Sequence, residues 1–263
     1  WCGHLYNWYD IDTLAPLCPK YVSSVDSGNL AAALLLCAEM VVDEDPALAG
    51  RMRALARGMD FSALYDAERD LFRIGADVEH GRLSDAHYDL LASESRILSY
   101  VAIMLGGAPV RHWAKLSRAA VATPDGTALA SWSGTMFEYL MPELILRAPS
   151  NALLGASART AIEAQRALGE ARNRPWGVSE SGYFAFDLHL NYQYRAFGLR
   201  ELALGDGAPE DVVAPYASLL ALFAEPEAVA ENIRAMQAAG WRGEYGLYEA
   251  ADYLRAESGG APK

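Results

Sequence analysis

The pentapeptide WGVSE at residues 176–180 has a counterpart in YGLYE at 245–249, and both read aromatic-Gly-x-x-Glu. A looser version, WSGTMFE, occupies residues 132–138. We interpret each copy as the start of a helix after a loop, and the copies are separated by tens of residues, about the length of a helical hairpin. Repeated helical hairpins predict a closed toroid in which the loops at one end surround a central cleft. A chance similarity is the alternative, because glycine-containing helix starts share composition anyway.

Helical periodicity covers most of the remaining chain and predicts an all-α fold of about nine helices in one domain, residues 1–263. The first helix, in residues 25–42, has Asp26 or Ser27 as its cap, and the second runs from Pro46 to about Gly58. Residues 68–83 differ, because their apolar residues alternate and predict a small hairpin. Further helices are predicted at 87–106, 109–119, 133–147, 151–171, 209–223, 226–239 and 247–256.

Charge and motif content exclude several classes of function. The formal net charge of −12 argues against a nucleic-acid surface, which needs clustered Lys and Arg, and suits a neutral polyol substrate. The alternative is that the acidic residues only keep the surface soluble. The five histidines and three cysteines have no metal-site spacing, so we expect no metal and no cofactor. The longest apolar run, residues 29–42, is too short to cross a bilayer, which takes about 20 residues.

Four acidic residues are candidates for chemistry: Asp26, Glu94, Glu138 and Glu180. Glycoside chemistry uses two carboxyl groups, one that protonates the leaving oxygen and one that attacks the anomeric carbon or activates a water molecule. Glu180 lies among aromatic residues, which favours a raised pKa and the role of proton donor. Glu94 is predicted within a helix, and its alternative is an ordinary capping or ion-pair residue beside Arg96.

Aromatic residues next to these acids predict a sugar-binding cleft, because flat rings stack on pyranose faces while polar side chains bind the hydroxyls. Core packing is the alternative, and it weighs most for the helical tyrosines. The predicted sugar-binding residues are Asp26, Trp132, Glu138, Trp176, Tyr183, Asp187, Tyr245 and Glu249.

Longer motifs resemble a known family, the glycoamylase-like cyclisation domain of bacterial cyclic β-1,2-glucan synthases. The resemblance runs in the same order from residue 3 to about 253. It is carried by GHLYNWYD (3–10), LAPLCPKYVSSVDSGNLAAALL (14–35), HYDLLASESR (87–96), SWSGTMFEYLMPELILR (131–147), PWGVSESGY (175–183), NYQYRAFG (191–198), DVVAPYASLLAL (211–222) and GEYGLYEAADY (243–253).

The resemblance implies an (α/α)₆ toroid that cyclises linear β-1,2-glucan by transglycosylation, with Glu94 and Glu180 as the catalytic pair. We expect Glu180 to be the acid/base and Glu94 its partner, although the roles could be exchanged; hydrolysis of the same glucan, or binding without catalysis, is the alternative function. Nine helices fall short of twelve, so we expect a toroid incomplete at its N-terminus and a chain that is part of a larger, membrane-embedded protein, with this domain facing the cytoplasm. After residue 198 the chain departs from the family: it has LRELALGDGAPED in place of a Gly-Leu-Gly-Leu-Lys-type stretch, so the contacts of that stretch are not carried over.

Overall fold

Two units make up the chain, Trp1–Ser117 and Arg118–Lys263, each with its own helices and short antiparallel sheets. The computed structural model describes residues 1–124, 126–205, 210–254 and 262. Strands are more numerous than an all-α fold predicts, but almost all are two to four residues long, and the longest elements of both units are helices.

The first unit, all of whose residues are described, contains four α-helices and six short strands. Its strands form two three-stranded sheets, in the orders β1-β4-β5 and β2-β3-β6. In chain order the elements are β1 (Tyr21–Ser23), α1 (Ser24–Val41), α2 (Pro46–Arg57), a 3-10 turn (Phe61–Leu64), β2 (Tyr65–Asp66), β3 (Leu71–Arg73), β4 (Gly75–Asp77), β5 (Arg82–Leu83), β6 (His87–Tyr88), α3 (Arg96–Met104) and α4 (Arg111–Lys115).

Helix α1 packs against α2 and α3 in the first unit. Its cap is Ser23, whose hydroxyl accepts from the Asp26 amide at 3.2 Å, and not Asp26 or Ser27 as the sequence predicts. A Cβ on Gly28 would lie 2.4 Å from Leu98 Cα, so glycine permits the close approach of α1 and α3. With 18 residues and a mean hydropathy of 1.3, α1 is long and apolar enough to cross a membrane, and 39% of it is buried inside the protein.

In its described residues the second unit has four helices and eight strands, which pair as β7-β8, β9-β10, β11-β14 and β12-β13. In chain order they are β7 (Ala120–Thr123), β8 (Gly126–Leu129), α5 (Met136–Leu140), a 3-10 turn (Met141–Leu144), α6 (Leu153–Ala171), β9 (Ser181–Phe186), β10 (Tyr192–Arg195), a 3-10 turn (Arg200–Leu202), β11 (Val212–Val213), α7 (Pro215–Leu219), a 3-10 turn (Leu220–Phe223), α8 (Pro226–Ala238), β12 (Arg242–Gly243), β13 (Gly246–Leu247) and β14 (Ala251–Asp252).

Helix α6 is central to the second unit and packs against β8 and α5. Its buried face carries small residues such as Ala158 and Ala161 with Ile162, which let the neighbouring elements approach closely. Ser157, on the same face, accepts a hydrogen bond from the Leu129 amide at 2.9 Å and so joins the helix to the end of β8.

Several predicted elements differ from the observed ones. Residues 87–106 are helical only from Arg96, and two of the three aromatic-Gly-x-x-Glu copies lead into strands, β9 and β14, and not into helices. The predicted helix at 247–256 is wrong: its described part holds the end of β13 and β14, and residues 255 and 256 lie outside the described residues. Pro209, in the predicted helix 209–223, also lies outside them, and the helix begins at Pro215.

Candidate active site

Glu180 ends a segment without regular secondary structure, residues 172–180, between α6 and β9. Two buried amide side chains take the place of a neighbouring strand along it. Gln165 on α6 accepts from the Val178 amide at 2.7 Å and donates to the Val178 carbonyl at 2.8 Å. Asn232 on α8 holds both backbone groups of Trp176 in the same way, at 3.0 and 2.8 Å. The backbone before Glu180 is therefore fixed by side chains from two helices.

Glycine is required within this segment. Gly177 has φ +132°, and a Cβ there would lie 3.0 Å from the Ala214 carbonyl oxygen. The Ala214 amide also donates to the Gly177 carbonyl at 2.9 Å, so the chain entering α7 lies directly against the segment.

The Glu180 side chain is half-buried and accepts a hydrogen bond from the Tyr194 hydroxyl. Tyr194 reaches it because β9 and β10 pair with Tyr194 opposite Gly182. Burial raises the pKa of Glu180, the Tyr194 hydrogen bond lowers it, and the nearby charge of Glu138 raises it. The net shift is upward, so the group holds its proton at higher pH than an ordinary glutamate, as a general acid must.

A cleft of about 580 Å³ adjoins this site and shares Tyr194 with it. Its lining combines aromatic rings with a carboxylate and an amide: Gly182, Tyr183, Phe184, Tyr192, Gln193, Tyr194, Tyr248, Glu249 and Ala250. Glu249 accepts from the Gly182 amide at 3.3 Å. Rings for stacking beside acceptors for hydroxyls are the composition of a carbohydrate site.

The predicted sugar-binding residues of this unit are distributed unevenly about the cleft. Tyr183 and Glu249 line it. Asp187 lies at the tip of the β9–β10 hairpin, where it accepts from the amides of His189 and Asn191 and holds the turn. Tyr245 is 96% exposed, whereas Trp176 is only 8% exposed and packs as a core residue.

Glu138 is buried at the start of α5, where it forms a capping box with Thr135. Its oxygens accept from the Ser131 hydroxyl at 3.0 Å, the Trp132 amide at 3.1 Å and the Thr135 amide at 3.0 Å, as well as from the Ser133 amide. Burial raises its pKa, and these hydrogen bonds partly offset the effect. The carboxylate therefore shapes the loop that carries the half-exposed indole of Trp132.

In the first unit, Glu94 lies in a turn two residues before α3 and not within a helix as predicted. It is half-buried between the buried residues Ser93 and Ser95. Burial raises the pKa of Tyr88 strongly, and the charges of Glu94 and Asp26 raise it further, so both carboxylates act on one phenol.

Asp26 is exposed in the first turn of α1, near the N-terminal loop. The Asn7 amide donates to its carboxylate at 3.4 Å, while the other end of Asn7 accepts from the Ser23 amide at 3.0 Å. Asn7 therefore connects the N-terminal loop to the residue that caps α1.

Sequence reasoning missed Gln165, Asn232 and the pairing of Tyr194 with Glu180. Nothing in the local pattern distinguishes a buried Gln on α6 from a surface one, and the Tyr194 contact depends on the register of a hairpin that was not predicted. Among the described residues, no group of three or more His, Cys, Asp or Glu could hold a metal ion.

Comparison with known proteins places this chain in a family. The model of the Glycoamylase family, described as "Putative glucoamylase", matches residues 86–260, about two thirds of the chain. The chain belongs to the Glycoamylase family. Both Glu94 and Glu180 fall within the matched residues of this family member.

A curated relative is the "Cyclic beta-(1,2)-glucan synthase NdvB" of Rhizobium meliloti (strain 1021), which is 41% identical over 204 residues. The match covers 77% of the Glycoamylase-family chain but only 7% of the synthase. The sequence resemblance to the synthases is thus confirmed over most of the chain.

Two solved structures have a similar fold. An endo-β-1,2-glucanase from Chitinophaga pinensis, in complex with sophorotriose and glucose, has a TM-score of 0.72 at 17% identity. A "putative glucoamylase" from Bacteroides caccae ATCC 43185 has a TM-score of 0.73 at 15% identity. In each case the similarity covers 96% of this chain and 66% of the solved one. The relatives are carbohydrate-active enzymes, and the chain spans less than two thirds of their length.

Proposed function

We propose that the chain is a transglycosylase domain that cleaves and re-forms β-1,2-glucosidic bonds and so cyclises linear β-1,2-glucan. The observation that carries the proposal is Glu180, a half-buried carboxyl group with a raised pKa, bound by a tyrosine that lines an aromatic cleft. The 41% identity to a protein named as a cyclic β-1,2-glucan synthase supports this substrate.

Glu180 and Glu94 would divide the chemistry. Glu180 donates its proton to the glycosidic oxygen while the bond from that oxygen to the anomeric carbon breaks and the electron pair stays on the oxygen. Glu94 stabilises the positive charge on the anomeric carbon by bonding to it, because each displacement inverts that carbon and two are needed to re-form a β bond. In the second half, ionised Glu180 accepts the proton of the glucan's own terminal hydroxyl, whose oxygen attacks the anomeric carbon; the bond from that carbon to Glu94 breaks, Glu94 leaves as a carboxylate, and the ring closes.

The rest of the site would bind the glucan. We propose that the predicted residues other than the core residue Trp176 bind sugar, with Tyr194 and Tyr248 added from the cleft. We further propose that the chain is one domain with an (α/α)₆ toroid architecture, from a membrane-embedded parent in which this domain faces the cytoplasm. The fold similarity to the two solved structures supports the architecture.

The test is incubation of the protein with linear β-1,2-glucan, followed by mass spectrometry of the products. Rings, which are lighter by one water than the linear chain of the same number of glucose units, are the expected product. Glu180→Gln and Glu94→Gln should each lower turnover by several orders of magnitude, and Glu163→Gln, at an exposed position on α6, is the matched control. Full turnover in both site variants would exclude the assignment.

Hydrolysis of the same glucan is the second candidate function, favoured by the fold similarity to an endo-β-1,2-glucanase. Water would then replace the sugar acceptor, and short reducing oligosaccharides would accumulate instead of rings. A chain that binds the glucan but turns none of it over would be a binding module.

A further inference from the structure

The backbone of Glu180 lies just outside the strand ladder. Strand β9 begins at Ser181, which pairs with Arg195, so Glu180 is the last residue before regular structure. A carboxyl group that must meet a glycosidic oxygen within hydrogen-bonding distance needs its own backbone fixed, because the side chain adds freedom of its own.

Two hydroxyl groups supply that fixation. The Tyr216 hydroxyl donates to the Glu180 carbonyl oxygen at 2.8 Å and lies 3.0 Å from Ser179 Oγ. Since a phenol has a single proton, Ser179 donates in turn to the Tyr216 oxygen. Ser179 is fully buried, so its hydroxyl is shielded from water that could replace these bonds.

Ser179 also connects this pair to the start of α5. Its Oγ accepts from the Phe137 amide at 3.2 Å, one of the first-turn amides that have no acceptor within the helix. The capping box of Thr135 and Glu138 fixes the start of this helix. The rings of Phe137 and Tyr216 pack edge-on, with 6.4 Å between their centroids. One chain of contacts therefore leads from the Glu138 loop to the backbone of Glu180.

We propose that Ser179 and Tyr216 are positioning residues for Glu180: their hydroxyl groups hold the backbone from which this carboxyl group reaches the glycosidic oxygen. The inference rests on the proposed function, because it holds that these contacts serve the cleavage of the glycosidic bond. It adds two residues whose contribution to glycosidic cleavage passes through Glu180.

The experiment compares Tyr216→Phe with Tyr139→Phe in the whole chain. Tyr216→Phe removes the hydroxyl and keeps the ring against Phe137. Tyr139→Phe is the matched control, because its hydroxyl also donates to a backbone carbonyl of the same unit, that of Leu129 at 2.6 Å, but at a distance in sequence from Glu180. We measure kcat and KM on linear β-1,2-glucan, the melting temperature, and crystal structures of the wild type and of Tyr216→Phe.

We expect kcat of Tyr216→Phe to fall about tenfold with KM within twofold, since small displacements of a reacting group cost rate more than binding. The control should lose melting temperature to a similar extent and keep its kcat. Ser179→Ala should lower kcat further, because it also removes the acceptor of the half-buried Phe137 amide.

Equal losses of kcat in Tyr216→Phe and Tyr139→Phe would overturn the proposal, and so would a Glu180 carboxyl group in its wild-type position in the crystal structure of Tyr216→Phe. If the wild type turns over no glucan, the proposed function fails. The two crystal structures then still decide the positioning, because a displaced Glu180 supports it and an unmoved one refutes it.

Discussion

Replacing Gln165 with Met should destabilise the second unit, because two buried backbone groups lose their hydrogen-bond partner. Gln165 is 1% exposed, and its amide holds both the amide and the carbonyl of Val178, at 2.7 and 2.8 Å. Met has a similar shape but no comparable donor or acceptor, so both groups of the buried Val178 lose their partner. Each unsatisfied buried group costs about 1–3 kcal/mol, so for two groups we expect a loss of about 2–6 kcal/mol in the free energy of unfolding.

The measurement is urea denaturation followed by tryptophan fluorescence and far-UV circular dichroism, with linear extrapolation to water. Because the chain has two units, the two probes must give coincident transitions before a single free energy is assigned. Gln237→Met, at an exposed position on α8, is the control and should change the free energy by less than about 0.5 kcal/mol. A loss at Gln165 no greater than that of the control would refute the reasoning that this amide substitutes for a neighbouring strand.

Three further predictions concern pH and backbone conformation. Tyr194→Phe removes the hydrogen bond that lowers the pKa of Glu180, so the alkaline limb of the kcat/KM–pH profile should move to higher pH; a limb that stays or moves down contradicts this. Glu138→Gln removes the charge that raises the same pKa, so that limb should move to lower pH, and the melting temperature should fall with the weakened capping box. Gly134→Ala should lower the melting temperature more than Gly106→Ala. Both residues have positive φ, but only at Gly134 would a Cβ meet a backbone oxygen, that of Leu199 at 2.2 Å. Equal losses of melting temperature would show that the contact relaxes.

The long helices could be predicted from the sequence because their signals are local. Pro46 in the first turn and Gly58 at the end bound α2, and apolar periodicity places α6 and α8 within two residues of their observed ends. The small hairpin predicted near 68–83 is matched by β4 and β5, which pair antiparallel, whereas β3 belongs to the other sheet of the first unit.

The short strands could not be predicted, because two or three residues are too few to show a period of two. Their pairing depends on partners distant in sequence, as for Val212 opposite Asp252. The turn around Glu94 could not be predicted for a related reason. The apolar residues on both sides of Glu94 have helical spacing, but residues 87 and 88 form strand β6, so the helix begins only at Arg96.

The membership of the candidate site and the roles of its residues stay predictions. Glu180 and Tyr183 were named from their aromatic surroundings, whereas Trp176, named by the same argument, is a core residue. A tryptophan beside a glycine has the same sequence signature in both environments. The roles of Glu94 and Glu180 remain predictions that the kinetic variants test.

The amides that hold residues 176 and 178 also limit what evolution or a designer can place on α6 and α8. Each position must offer a donor and an acceptor side by side at the spacing of a peptide group, and among the natural side chains only Asn and Gln do so. A library randomised at 165 and 232 and selected for a working enzyme should therefore return only Asn and Gln, although both positions are buried and neither lines the cleft.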